Sequence, residues 1–204
     1  MQKYAILVDA GFARRKLGNS KSPAKIDSFD SLFEKIKTSE HLKGQVLHRI
    51  YYYDSSPLEE SYDIPLSGGM KLDFGQSPIV SASKSLFDNL SKYPFVALRL
   101  GELSFNGWQL KNKKFNKTAT ELTITHSDLS PNITQKGVDM RIGMDIAALT
   151  LKKLVQTIVL VTGDSDFVPA MKFARREGAN LFLVTLGHNV KPTMLEHSDI
   201  VLEI

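Results

Sequence analysis

The stretch TIVLVTGDSDFVPAMKFARREGANLFLVTLG, residues 157–187, decides the fold. TIVLVT (157–162) is a short run of aliphatic and β-branched residues, the composition of a buried strand. The DFVPAMKFARREG segment that follows has helical spacing. Its Pro169 is tolerable only in a first turn, and its Gly178 is well placed to end the helix. NLFLVTLG (180–187) then reads as another strand. Strands that alternate with helices imply parallel pairing and a layered α/β sheet.

Working outward, KGVDMRIGMDIAALTLKKL (136–154) is the strongest helix in the chain. YAILV (4–8) is a first strand that ends at Asp9. SFDSLFEKIKTS (28–39) places Phe29, Leu32, Phe33 and Ile36 on one helical face. QVLHRIYYYD (45–54) and FVALRLGEL (95–103) read as strands two and three, with a helix at SKSLFDNLSKY (83–93) between them. The last six residues, DIVLEI, are again strand-like. Residues 55–81, rich in Ser, Pro and Gly, read as a long inserted loop. Residues 104–135 read as an inserted β-hairpin excursion, with ELTITHS (121–127) alternating like a strand. The expectation is one domain over 1–204, a three-layer α/β/α Rossmann-like sandwich with a mainly parallel sheet.

Composition narrows the chemistry. With no cysteine, disulfides, thiolate metal sites and cysteine nucleophiles are excluded. The five histidines form no HxxxH or HxH pair and read as surface or packing residues. A GxSxG nucleophile elbow is absent, and SGG at 67–69 lacks the rest of a phosphate loop. Neither a signal peptide nor a membrane span is legible, so the expectation is a soluble, cytoplasmic protein without a membrane partner. The net charge of +4 is compatible with a polyanionic partner without establishing one.

The carboxylates carry the functional signal. Ligands of open α/β sheets bind beyond the carboxyl ends of the strands, where strand order reverses. Asp9 directly follows strand one, and Asp164 and Asp166 directly follow strand four. If those strands are neighbours, three carboxylates share a crevice, and Asp139 at the start of the KGVD helix could reach the same edge. Two carboxylates about 4 Å apart repel by roughly 4 kcal/mol at an effective dielectric near 20. One of them must then hold its proton, or a cation must sit between them. Oxygen-only ligands favour Mg²⁺ or Mn²⁺ over zinc. Each acid also has a plainer reading: Asp164 and Asp166 as helix caps, Asp9 as a turn residue, Asp139 as compensation for the helix dipole. Asp145 falls within the apolar face of its helix, between Val138 and Leu149, which suits a residue supporting the ligands more than a ligand itself.

The strings YAILVDAGF, KGVDMRIGMDIAAL and VLVTGDSDFVPAMKFARREG resemble the signature blocks of the NYN domain, in its LabA-like branch; YYYD (51–54), RLGEL (99–103) and Trp108 also fit. The resemblance covers most of the chain and implies a PIN-like nuclease fold with the first strand beside the fourth. It further implies metal-dependent endoribonuclease activity. Asp9 matches the first-strand acid, Asp139 the acid of the KGVD block, and Asp164 and Asp166 the acids of GDSD. Phe12 departs from the pattern, standing where many NYN proteins carry an Asn.

RNA, single-stranded, is the implied partner. Lys111, Lys113, Lys114 and Lys117, near Trp108 and Phe115, combine phosphate-binding charge with stacking surface, though a solvated turn between two strands is the more usual explanation of such a stretch. Arg14, Arg15 and Lys16 could flank the crevice, and Lys136 could touch a scissile phosphate. Three readings follow: an RNA-cleaving enzyme, a module that binds RNA or a nucleotide without turnover, and a regulatory protein acting through a homodimer.

Overall fold

The computed structural model of the chain describes all residues except Ser20 and 113–120. Asp9, Asp139 and Asp164 take their places from the order of a seven-stranded sheet. Its strands are β1 (Lys3–Asp9), β2 (Val46–Ser56), β5 (Val96–Leu110), β6 (Leu129–Lys136), β7 (Thr157–Val161), β8 (Asn180–Val184) and β9 (Ile200–Leu202). An antiparallel hairpin of short strands, β3 (Ser61–Asp63) and β4 (Lys71–Asp73), forms a separate sheet. The order across the main sheet is β6-β5-β2-β1-β7-β8-β9. All pairings in it are parallel except β5 with β6. From β1 the chain first builds towards β2 and β5, then returns and builds towards β8 and β9. Strand order therefore reverses at the β1–β7 seam, the place where such sheets bind ligands.

Helices α1 (Ala10–Leu17), α2 (Ile26–Lys37) and α3 (Pro78–Lys92) cover one face, and α4 (Val138–Leu151), α5 (Val168–Arg176) and the short α6 (Pro192–Glu196) cover the other. The central strands alternate strictly between the two cores. Ile6, Val8, Ile50, Tyr52, Val159 and Val161 face Phe29, Phe33 and Leu90; Leu7, Tyr53, Ile158 and Leu160 face Ile142, Ile146 and Met171. Both faces of β1 and β7 are buried, so their sequences read as unbroken aliphatic runs. The three-layer α/β/α expectation holds.

Several local expectations change. Residues 55–81 are not loop throughout: β2 runs to Ser56, the β3–β4 hairpin lies inside, and α3 starts at Pro78 with Ser77 accepting from the Ile79 N–H. The excursion is a hairpin, but ELTITHS is not its strand. Residues 121–125 have no regular structure, a 3₁₀ turn spans His126–Asp128, and β6 begins only at Leu129. The alternation of ELTITHS reads like a strand, yet the ladder with β5 is carried by 129–136 instead. Helix α1 was not legible as a helix, because AGFARRKL buries only Ala10, Phe12 and Ala13.

Candidate nuclease site

Asp9 ends β1 and caps α1. Its Oδ1 accepts from the Phe12 N–H at 3.1 Å, and its Oδ2 accepts from the Thr162 hydroxyl at 2.9 Å. Thr162, fully buried just past β7, uses the same oxygen to accept from the Asp164 N–H at 3.1 Å. One hydroxyl thus joins the ends of two adjacent parallel strands. Asp164 then caps the 3₁₀ turn Ser165–Phe167, its Oδ1 accepting from the Asp166 N–H at 2.9 Å. The cap reading of Asp164 is correct as far as it goes; that of Asp166 is not, since Asp166 supplies the N–H and Asp164 the side chain.

Asp139 lies in the first turn of α4, after Gly137, whose φ of 80° is the left-handed conformation that glycine adopts without strain. The electrostatics tie the acids together. Burial raises the pKa of Asp9, the Phe12 and Thr162 hydrogen bonds oppose the rise, and the charge of Asp139 adds to it. Asp139 is raised by its own desolvation first and then by the charges of Asp164 and Asp166. Asp139 is therefore within electrostatic reach of Asp9, Asp164 and Asp166.

Among the described residues, no three His, Asp or Glu side chains stand close enough together to hold a metal ion without moving. The donor chemistry fits a hard divalent cation: every group is a carboxylate oxygen, and the mutual repulsion that adds to burial in raising the pKa values of Asp9 and Asp139 is what such a cation relieves. The spacing fits only after side-chain rotation. Asp9 is fixed by two hydrogen bonds and Asp164 by its cap bond to the Asp166 N–H, so Asp139 and Asp166, both exposed, are the groups that would turn.

A cleft of about 380 Å³ opens beside Asp9 and Asp164. Arg15 from α1 and His188, Asn189 and Lys191 from the loop after β8 also line it. These last three were missed in the sequence. The signal available was position alone, since they follow the strand next to β7. Phe12 lines the cleft, is 6% exposed, and lies 5.8 Å from the His188 ring. A Cβ on Gly163 would come within 2.6 Å of Phe12 and 2.7 Å of His188, so the two rings close over the glycine. Where the family pattern has a polar Asn, this chain has a hydrophobic plug.

Other expected contacts lie elsewhere. Arg14 donates to Asp54 Oδ2 and to the Ser83 hydroxyl, each at 2.9 Å, so its charge is engaged away from the cleft. Asp145 accepts from the Tyr53 hydroxyl at 2.9 Å and pairs with Arg99 at 3.1 Å; neither partner is one of the four acids. Lys136 is exposed at the end of β6, immediately before the turn into α4. Lys111 donates to the Ser127 carbonyl, and the Trp108 N–H to the Asp63 carbonyl. Trp108 packs edge-on to Phe105, which stacks on Tyr62 at 3.9 Å, pinning the β3–β4 hairpin to β5. Lys113, Lys114, Phe115 and Lys117 lie outside the described residues. No helix among the described residues is long and apolar enough to cross a membrane.

A Rossmann-like sheet with acids gathered at its switch point defines the architecture of a PIN-like nuclease. The NYN domain model matches residues 3–199, and the chain belongs to that family, within the PIN-like nuclease superfamily. No curated protein matches the chain. Among solved structures it is similar to a protein of unknown function from Vibrio parahaemolyticus, with a TM-score of 0.54 and 14% identity over 98% of this chain and 91% of that one. At that identity the likeness speaks for the fold alone.

Proposed function

We propose that the protein is a metal-dependent ribonuclease of the LabA-like branch, hydrolysing RNA phosphodiesters endonucleolytically with Mg²⁺ or Mn²⁺. The observation that carries this reading is the Thr162 hydroxyl locking Asp9 and Asp164 to one seam, with Asp139 and Asp166 in the same field. Asp9, Asp139 and Asp164 would hold the cation, with Asp166 as a fourth, water-mediated ligand. When bound, such an ion activates water as a nucleophile near neutral pH and stabilises charge on the phosphoryl oxygens.

The chain's own residues do the rest. The Phe12 N–H and the Thr162 hydroxyl orient Asp9, so one ligand is preorganised before substrate arrives. Arg15 and Lys191, which line the same cleft, attract the phosphate and offset the charge of the acids. His188 can donate to a phosphate oxygen. Products would carry a 5′-phosphate and a 3′-hydroxyl.

Phe12 favours a second reading, in which the same crevice binds RNA or a nucleotide with weak turnover or none. Labelled single-stranded RNA incubated with Mn²⁺ decides between them. The enzyme reading expects cleavage by the wild type and none by the Asp139→Asn, Asp164→Asn double variant. Cleavage by both identifies a contaminant, and binding without cleavage supports the module.

A further inference from the structure

A second groove runs along α3, away from the acids, and Arg15 lines both it and the acidic cleft. Its volume near Arg15 is about 330 Å³, and a continuation of similar size shares Pro23, Ala24 and Ala82 with it. Pro23 and Ala24, from the turn between α1 and α2, form one wall. Ile79 and Ala82, on the first turns of α3, form the other. Asn19 adds an amide at the rim.

Two features separate this groove from an incidental crease. One is that Arg14 of α1, which lines it, bonds both Asp54 on β2 and Ser83 on α3, tying α1 to the helix that carries Ile79 and Ala82. Its apolar lining is also presented to solvent: Ile79 is 68% exposed, where a helix surface ordinarily carries a polar residue. A mostly apolar slot beside an arginine that also lines the acidic cleft matches a nucleotide unit. The base lies on the aliphatic walls with its edge towards Asn19, and the phosphate lies at Arg15.

We propose that this groove takes one unstacked nucleobase of the strand whose scissile phosphate occupies the acidic cleft, with Arg15 gripping the phosphate between them. The inference rests on the ribonuclease reading and adds to it a place for one base. A base can enter the groove only after leaving its stack, so the site selects single-stranded RNA over a duplex.

The test measures affinity for a labelled single-stranded RNA and for its duplex by fluorescence anisotropy, in the Asp139→Asn, Asp164→Asn background. Ala82→Trp fills the groove, and Ile79→Ser strips its outer wall. Because Ile79 is largely exposed, that second substitution leaves the fold intact whatever happens to the first. Each added substitution is expected to weaken single-strand binding about tenfold, the scale of one lost base contact. Duplex binding is weaker from the outset and changes little. If the background protein binds single strands and both added substitutions leave that affinity unchanged, the groove assignment is wrong while the cleft reading stands. Equal affinity for single strand and duplex overturns the groove in the same way. If the background protein binds no RNA at all, the cleft reading fails and the groove with it.

Discussion

Two glycines, Gly101 in β5 and Gly143 in α4, should respond in opposite ways to the same added methyl group. Gly101 lies in β5 where that strand passes the junction of β6 and α4. A Cβ there would sit 2.4 Å from the Lys136 carbonyl oxygen and 2.8 Å from Val138 Cγ2. To reach even 3.0 Å, the closest approach a real Cβ makes, the Lys136 carbonyl must retreat by 3.0 − 2.4 = 0.6 Å, and it is backbone held in the β5–β6 ladder. Overpacking of this kind costs about 1–3 kcal/mol. Gly143, in the middle of α4, has no atom within 4 Å of its added Cβ. Alanine there should stabilise by about 0.5–1 kcal/mol through helix propensity alone. Urea unfolding of both variants reads the two signs directly. The Gly101 variant carries a functional consequence as well, because the displaced carbonyl lies three residues before Asp139, and a misplacement of about 1 Å at a reacting group can cost roughly 100-fold in rate. A Gly101→Ala protein as stable as the wild type would refute the packing derived for this junction.

Three further predictions follow from the hydrogen bonds and charges. Arg14→Ala leaves Asp54, at 12% side-chain exposure, without its cation; the Tyr52 hydroxyl and the Ser55 N–H remain, so the loss in urea unfolding should be about 2–3 kcal/mol. A loss below about 0.5 kcal/mol, the size of an exposed pair, would mean that this ion pair is solvated in practice. Thr162→Val keeps the shape and removes the hydroxyl shared by Asp9 and the Asp164 N–H, costing about 1–3 kcal/mol; the Asp9 carboxyl, deprived of a donor, should titrate higher by NMR. For Asp139 the raised pKa means the folded state binds a proton more tightly than the unfolded chain, so in chelator its carboxylate lowers stability as pH rises from the ordinary value near 3.8 through the raised one. Asp139→Asn should therefore stabilise the metal-free protein at pH 7 by about a few tenths of a kcal/mol, with the gain vanishing towards acid pH; a gain that grows on acidification contradicts the sign.

The parts of the molecule that were legible in the sequence are those governed by periodicity and chain order. The aliphatic runs of β1 and β7, buried on both faces, could hardly be anything but central strands, and an acid placed directly after each run had to lie at the sheet edge. What misled was local resemblance without tertiary support. ELTITHS alternates, but a strand exists only where a partner ladder accepts it, and β5 pairs with the residues that follow. Arg14 looked like a phosphate contact because it follows Asp9 closely, yet a half-buried arginine settles on the nearest carboxylate, and Asp54 comes from 40 residues away in sequence. His188 and Lys191 are single polar residues in a loop, without period or motif; only the register of β8 beside β7 brings them to the cleft. Phe12 was recognised as a departure, but that its ring would close over Gly163 depends on a contact between three segments that no linear pattern encodes.

The central claim is that the carboxylates at the β1–β7 seam close on one divalent cation. A crystal grown with Mn²⁺ and measured for anomalous scattering tests it without reference to activity. The expected result is a peak in the cleft within coordinating distance of Asp9 and Asp164, with Asp139 turned towards it. A protein saturated with Mn²⁺ that shows no such peak, or carries the ion elsewhere, contradicts the account.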